Sequence, residues 1–364
     1  MTTTISDIHP DLIQTHILPF LDGPSLSATA AVSSHLQTLC ADDILWSNMC
    51  NSTWPSVTDP RVDDIISTFP AGHRSFFHDS FPALVITDAT HHNRRRLDLP
   101  SHAWPSQIIS AVNIRYQNDC IYSKLEFTDT TDAFLSSEFC ISLDEEPESK
   151  PGTGIFQAIK LKVDELAGAD EGRLSHLKES LALNWILIDP TWKRAGNISS
   201  IKPVSAWKGW MNDNIHVLYA VVLPGCDQNN MVQYRIQVVL GIDEGTSGLH
   251  VKEVMLELLD MDFCRLKGKD FLVITQGALS GENNVKRKIV DVEESRRRYR
   301  EFERISINSL SHLQSEIKTD MVISMPCDCF LQKLFHLLKV KFSLKTREFF
   351  SCMMLVVVLM IYCG

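Results

Sequence analysis

The chain has 364 residues, 44% hydrophobic and 22% charged, with a formal net charge of −10. This is ordinary globular composition, enough for two or three domains. It excludes a whole-molecule basic field of the kind that binding to a phosphate backbone needs, so nucleic acid is not an expected partner. The ten cysteines are scattered without the dense spacing of a small disulfide scaffold and read as reduced thiols. The opening MTTTISDIHPDLI lacks a basic region followed by an apolar core, so no signal peptide is expected, and cytoplasm or nucleus is the expected compartment.

In chain order, Leu12, Ile13, Ile17 and Leu18 fall on one helical stripe, and Pro19 ends that helix because it has no N–H to donate to the preceding turn. Asp22-Gly23-Pro24 supplies a tight corner, with Pro24 suited to the first turn of a second helix carrying Leu26, Ala30, Val32, Leu36 and Leu39. A third helix begins near Asp42-Asp43 and carries Ile44, Leu45, Trp46 and Met49. Three helices in about forty residues bury too little area to stand alone, so the unit calls for a partner or for the rest of the chain to cover it.

Residues 51–106, rich in proline, aspartate and aromatics, read as a linker region with one or two short helices that packs against the helical unit. From 107 to 280 short β-branched and apolar runs alternate with polar turns, which predicts a β-rich domain built as a two-layer sheet. DFLVITQGAL is counted among its strands and RLSHLKESLAL (173–183) as its helix. Residues 281–348 form a charged helical segment with an apolar seam of Val292, Tyr299, Phe302, Leu310, Leu313 and Ile317. The expected fold class is α+β.

The apolar tail FFSCMMLVVVLMIYC (349–363) is shorter than the ~20 residues a membrane-crossing helix needs. By length it reads equally as a marginal membrane anchor, which would make the membrane a partner, or as a packed terminal segment, and a variant end is the third alternative.

Catalytic and cofactor signatures are sparse. The sequence has no CxxC, HExxH, GxSxG or GK[ST] motif; Gly152-Thr153-Gly154 lacks the third glycine of a dinucleotide loop, and Cys327-Asp328-Cys329 has no matching pair. No cofactor, no metal and no catalytic residue are expected. Arg94-Arg95-Arg96 reads as a loop. Arg296-Arg297-Arg298, interleaved with glutamates, reads as a solvated helix with internal ion pairs.

HPDLIQTHILPFLDGPSLSATAAVSSHLQTLCADDILW resembles an F-box, the helical module that docks on the Skp adaptor of cullin-based ubiquitin ligases. Pro10, Leu12, Ile13, Ile17, Leu18, Leu21, Leu26, Val32, Ser33 and Leu45-Trp46 fall into the family pattern. His9, Ser34 and Leu36 depart from its usual leucine, lysine and tryptophan. TWPSVTDPRVDD, LNWILIDPTWKRAGNISSIKPVSAWKGW and HVKEVMLELLDMDFCRLKGKDFLVITQGAL extend the likeness to plant F-box proteins whose β-rich region is distantly similar to phloem lectins. The resemblance implies a non-catalytic recognition subunit. In it Pro10, Leu12, Ile13, Ile17, Leu18, Leu21, Leu26, Val32 and Leu36 would bind the Skp adaptor and, through it, cullin, while the β-rich region holds an unidentified target protein. A β-rich binding module without a ligase partner, such as a lectin-like one for carbohydrate, is the alternative expectation.

Overall fold

The structure is a computed structural model that describes residues 8–86, 104–144, 155–156, 170–209, 214–226, 230–242, 248–281, 285–289 and 291–320. The fold is α+β: a helical N-terminal part, two β-sheets and a long helix at the C-terminal end of the described chain. Helix α1 (Pro10–His16) starts on a proline, whose missing N–H costs nothing in a first turn, and a 3-10 turn at Leu18–Phe20 contains Pro19.

The single second helix expected over 24–39 is in fact two, α2 (Gly23–Ala30) and α3 (Ser34–Leu39). The break lies at Ser33, whose backbone is extended and whose hydroxyl accepts from the Leu36 amide at 3.2 Å. A serine in this position favours capping over helix continuation. Helix α4 (Asp43–Thr53) follows, capped by Asp42.

Residues 54–86 contain the expected short helices, packed on the N-terminal ones, and a strand that was not expected: a 3-10 turn (Pro55–Thr58), α5 (Pro60–Ser67), α6 (Gly72–Ser80) and β1 (Ala83–Ile86). Pro55 and Pro60 sit in first turns, where they start helical structure rather than break it. Trp54, Val57, Ile66, Phe69, Phe76 and Phe77 share a core with Ile13, Leu18, Leu26, Leu36 and Trp46.

The remaining elements are β2 (Gln107–Tyr116), β3 (Asp119–Asp129), α7 (Asp132–Ser136), β4 (Cys140–Asp144), β5 (Ile155–Phe156), α8 (Asp170–Ser180), β6 (Leu181–Asp189) and β7 (Arg194–Asn197). After them come β8 (Ser205–Lys208), β9 (Ile215–Pro224), β10 (Met231–Ile242), β11 (Leu249–Leu259), α9 (Gly268–Ser280), β12 (Val285–Lys288) and α10 (Val292–Asp320). A seven-stranded sheet runs β12-β1-β7-β6-β2-β3-β5 and a five-stranded sheet runs β4-β11-β10-β9-β8. The pairings are antiparallel except for one parallel contact, Ala83 with Asn197 between β1 and β7.

The two sheets share a core containing Trp185, Tyr219, Tyr234 and Phe139, with Phe271 of α9 stacked on Phe139 at 3.7 Å between ring centroids. DFLVITQGAL is therefore helical, not a strand. Its residues Phe271, Leu272, Val273 and Ile274 are buried on all sides, and such an apolar run has no periodicity to separate helix from strand. Gly281, with φ 76°, closes that helix in the left-handed conformation glycine tolerates.

The seven-stranded sheet is covered on both faces. Along β2, Ile108, Val112 and Ile114 face the second sheet, whereas Ile109 and Ala111 face the helices, as do Ile186 and Ile188 of β6. Two polar links reinforce this contact. Fully buried Asn113 donates to Ser56 Oγ at 2.7 Å and accepts from the Ser56 amide at 3.1 Å. Arg115 donates to the carbonyls of Ser52 (2.9 Å) and Thr53 (2.8 Å), where the last turn of α4 leaves carbonyls unpaired and the helix dipole is negative.

In α10, Tyr299 and Phe302 bury their rings on the far side of the five-stranded sheet. Arg296, Arg297 and Arg298 pair with Glu293 and Glu294 at 2.6–2.8 Å, as the charge pattern suggested. Among the described residues no helix is long and apolar enough to cross a membrane. The apolar tail 349–363, Arg94-Arg95-Arg96, the glycines at 152 and 154, and Cys327-Asp328-Cys329 lie outside the described residues.

Candidate functional site

The N-terminal helices divide their apolar residues sharply between core and surface. Ile13, Leu18 and Leu26 are 0% exposed and Leu36 is 3% exposed, all packed in the helical core. Leu12 is 51%, Ile17 38%, Phe20 85%, Val32 73% and Ile44 71% exposed. These are five of seven large apolar side chains left exposed among the described residues. Pro10 is exposed and Leu21 half-buried.

Local sequence explains the arrangement. His9 caps α1 by accepting from the Asp11 amide, while Gln14 donates to Asp42 at 2.9 Å and ties α1 to the start of α4. Asp22 caps α2 by accepting from the Ser25 amide at 2.8 Å, and its hydrogen bonds with Ser25 hold its carboxyl below the usual carboxylate range. Gly23 lies directly against the Phe77 ring, so that a Cβ there would overlap it. The glycine of the corner is thus set by packing on α6. Trp46 donates its indole N–H to the Cys40 carbonyl at 2.7 Å, which fixes α4 against the end of α3.

The adaptor-binding set expected from sequence does not form one surface. Leu12, Ile17, Val32 and Pro10 are available to a partner, but Ile13, Leu18, Leu26 and Leu36 are not, because the tight corner folds α2 back so that their side chains fill the interior. The departure at Leu36 is correspondingly a matter of core packing, whereas His9 and Ser34 are surface residues. Phe20 and Ile44, the most exposed apolar side chains besides Val32, were not singled out by the spacing. Phe20 follows a proline, where the helical phase is lost, and Ile44 sits beside the core pair Leu45-Trp46. Among the described residues no group of three or more His, Cys, Asp or Glu side chains is placed to hold a metal ion.

The F-box-like family model matches residues 10–52, the four helices just described. The Arabidopsis thaliana F-box protein At2g27310 is 37% identical over 336 residues, covering 88% of this chain and 92% of that protein. The chain belongs to the F-box proteins. Two further Arabidopsis relatives agree: F-box protein At3g44326 is 36% identical over 80% of each chain, and the probable F-box protein At2g36090 is 34% identical over 83% of each. No solved structure matches the chain. As an F-box protein it carries the module that joins a Skp-type adaptor within an SCF-type ligase, and the relatives extend through the β-rich part as well as the F-box.

Proposed function

We propose that this F-box protein is the substrate-recognition subunit of an SCF-type ubiquitin ligase, docking on the Skp adaptor through Leu12, Ile17 and Phe20 with Val32 and Ile44, and holding a target protein through its β-rich region. The observation that supports this reading is that five large apolar side chains are left exposed on an otherwise packed four-helix unit. Apolar anchors spaced along short helices suit docking between partner helices. Ubiquitin transfer takes place on other subunits. This chain contributes proximity, raising the effective concentration of a target lysine near the loaded conjugating enzyme.

The test substitutes surface and core separately. Leu12→Asp with Phe20→Asp removes two anchors from exposed positions, and capture by recombinant Skp adaptor is expected to fall at least tenfold with an unchanged circular dichroism spectrum. Undiminished capture would refute the docking assignment. Leu26→Asp, in contrast, buries a charge in the core and is expected to cost the fold itself.

A further inference from the structure

We propose that the pocket between α6 and the β6–β7 turn binds an anion of the phosphomonoester class. This site is separate from the docking face and does not depend on the adaptor reading. The pocket has a volume of about 430 Å³, and Arg74, Ser75 and His78 line one side, with Lys193 and Arg194 on the other. That volume falls in the range of small-ligand sites and leaves room for a phosphate together with the group that carries it.

Charge is the first argument. In a chain of net charge −10, three cations converge here, with Arg287 behind them, and Asp79 is the one acid that lines the pocket. Asp79 is fully committed. It accepts from Arg194 at 2.7 and 3.1 Å and from the Ala195 amide at 3.2 Å, and it pairs with Arg287 at 3.3 Å. The Arg74 and Lys193 side chains make no hydrogen bond or ion pair among the described residues, so two positive charges face the pocket without a counter-ion. Such a pocket favours a dianion, and a guanidinium together with an ammonium suits phosphate oxygens in particular.

Local geometry supplies the second argument. Lys193 has φ 52°, a left-handed conformation that is strained for a non-glycine residue and that clusters at ligand sites. Ser75 Oγ accepts from the Ala71 amide at 2.8 Å, which leaves its O–H free to donate. His78 lies one turn beyond Arg74. Partial desolvation, and then the Arg74 charge, lower its pKa, and its ring is 5.7 Å from that of Trp46. These surroundings favour neutral His78, and a bound dianion would favour its protonated form.

The test uses the full chain with labelled histidine and follows the His78 imidazole resonance during titration with inorganic phosphate, a phosphoserine peptide and the same peptide unphosphorylated. Phosphate is expected to shift the resonance saturably and to raise the His78 pKa. Arg74→Gln with Lys193→Gln is expected to weaken binding at least tenfold, whereas Lys252→Gln, which removes an exposed charge from the other sheet, leaves it unchanged. Tighter binding of the phosphoserine peptide than of inorganic phosphate assigns the anion to a phosphorylated side chain, and equal affinity assigns it to a free phosphate compound. Absence of a saturable shift, or equal affinity in the double variant and the Lys252→Gln control, would overturn the proposal.

Discussion

Asp189 shows how a residue can sit at a structural junction in its less favourable charge state. Its carboxylate, 1% exposed at the end of β6, accepts from the Thr191 and Trp192 amides at 2.9 and 3.0 Å and from Gln276 of α9 at 3.2 Å. Desolvation nevertheless raises its pKa above the ordinary carboxylate value and outweighs those hydrogen bonds. A carboxyl with a raised folded-state pKa binds its proton more tightly in the native state. Its stabilising contribution is therefore complete below the unfolded-state pKa and is lost as pH rises through the folded-state one. Asp189→Asn keeps the oxygen that accepts from both amides, and its new N–H₂, standing where Oδ2 accepted from Gln276, meets the unpartnered Gln276 Oε1 once that amide turns over. The variant is expected to melt higher than wild type at pH 7, by an amount of order 1 kcal/mol, with the difference shrinking toward pH 3 in thermal melts. A lower melting temperature at pH 7 would show that the charge itself is needed.

Among elements, β2 carries the connection between the F-box and the sheets. Asn113 lies inside a strand that otherwise reads as half-buried alternation, and its amide is spent on Ser56 and on Ser123, which donates to it at 3.0 Å. Asn113→Leu leaves the Ser56 amide and hydroxyl without their partner. It is expected to cost about 1–3 kcal/mol, read as a lowered denaturant midpoint in equilibrium unfolding. A midpoint unchanged within error would mean that Ser56 re-pairs with solvent.

Much of this level was legible in the sequence. The alternation in SAVNIRY pointed to a strand, and the Asp22-Gly23-Pro24 corner to the turn. The break at Ser33 and the helix at 268–280 were not legible. A serine cap is hidden when apolar residues continue on both sides of it, and α9 owes its state to burial on every side by elements distant in sequence. Likewise the proposed docking face was readable as a segment but not as a set of exposed side chains. Leu12 and Ile13 are adjacent on the same stripe, and packing against α3 decides which of them is interior.

At the scale of the molecule, F-box and β-rich region are continuous through a shared core. Ile109, Ala111, Ile186, Ile188 and Ala195 belong to the sheet yet pack with Trp46, Trp54 and Phe77. Residues 54–364 expressed without the F-box would expose to water Trp54, Phe76 and Phe77, which pack with Leu26 and Trp46 of the F-box in the shared core. They are expected to be recovered mainly as aggregate, while the full chain unfolds in one transition by both circular dichroism and tryptophan fluorescence. A soluble, folded fragment would show that the sheets stand alone. Under the proposed function, a common core would hold a target of the β-rich region at a fixed distance from the adaptor and favour reaction at lysines within a limited reach.

The two-sided burial of β2 bears on how such a chain can change over generations. Its residues answer to two interiors by simple alternation, and a slip of one position sends each side chain to the opposite face. Substitutions in β2 are felt by one interior at a time and can be compensated there. The in-frame loss of a single codon early in the strand disturbs both at once, turning Val112 toward the helices and Asn113 toward the second sheet, so inheritance can retouch this strand but hardly resize it.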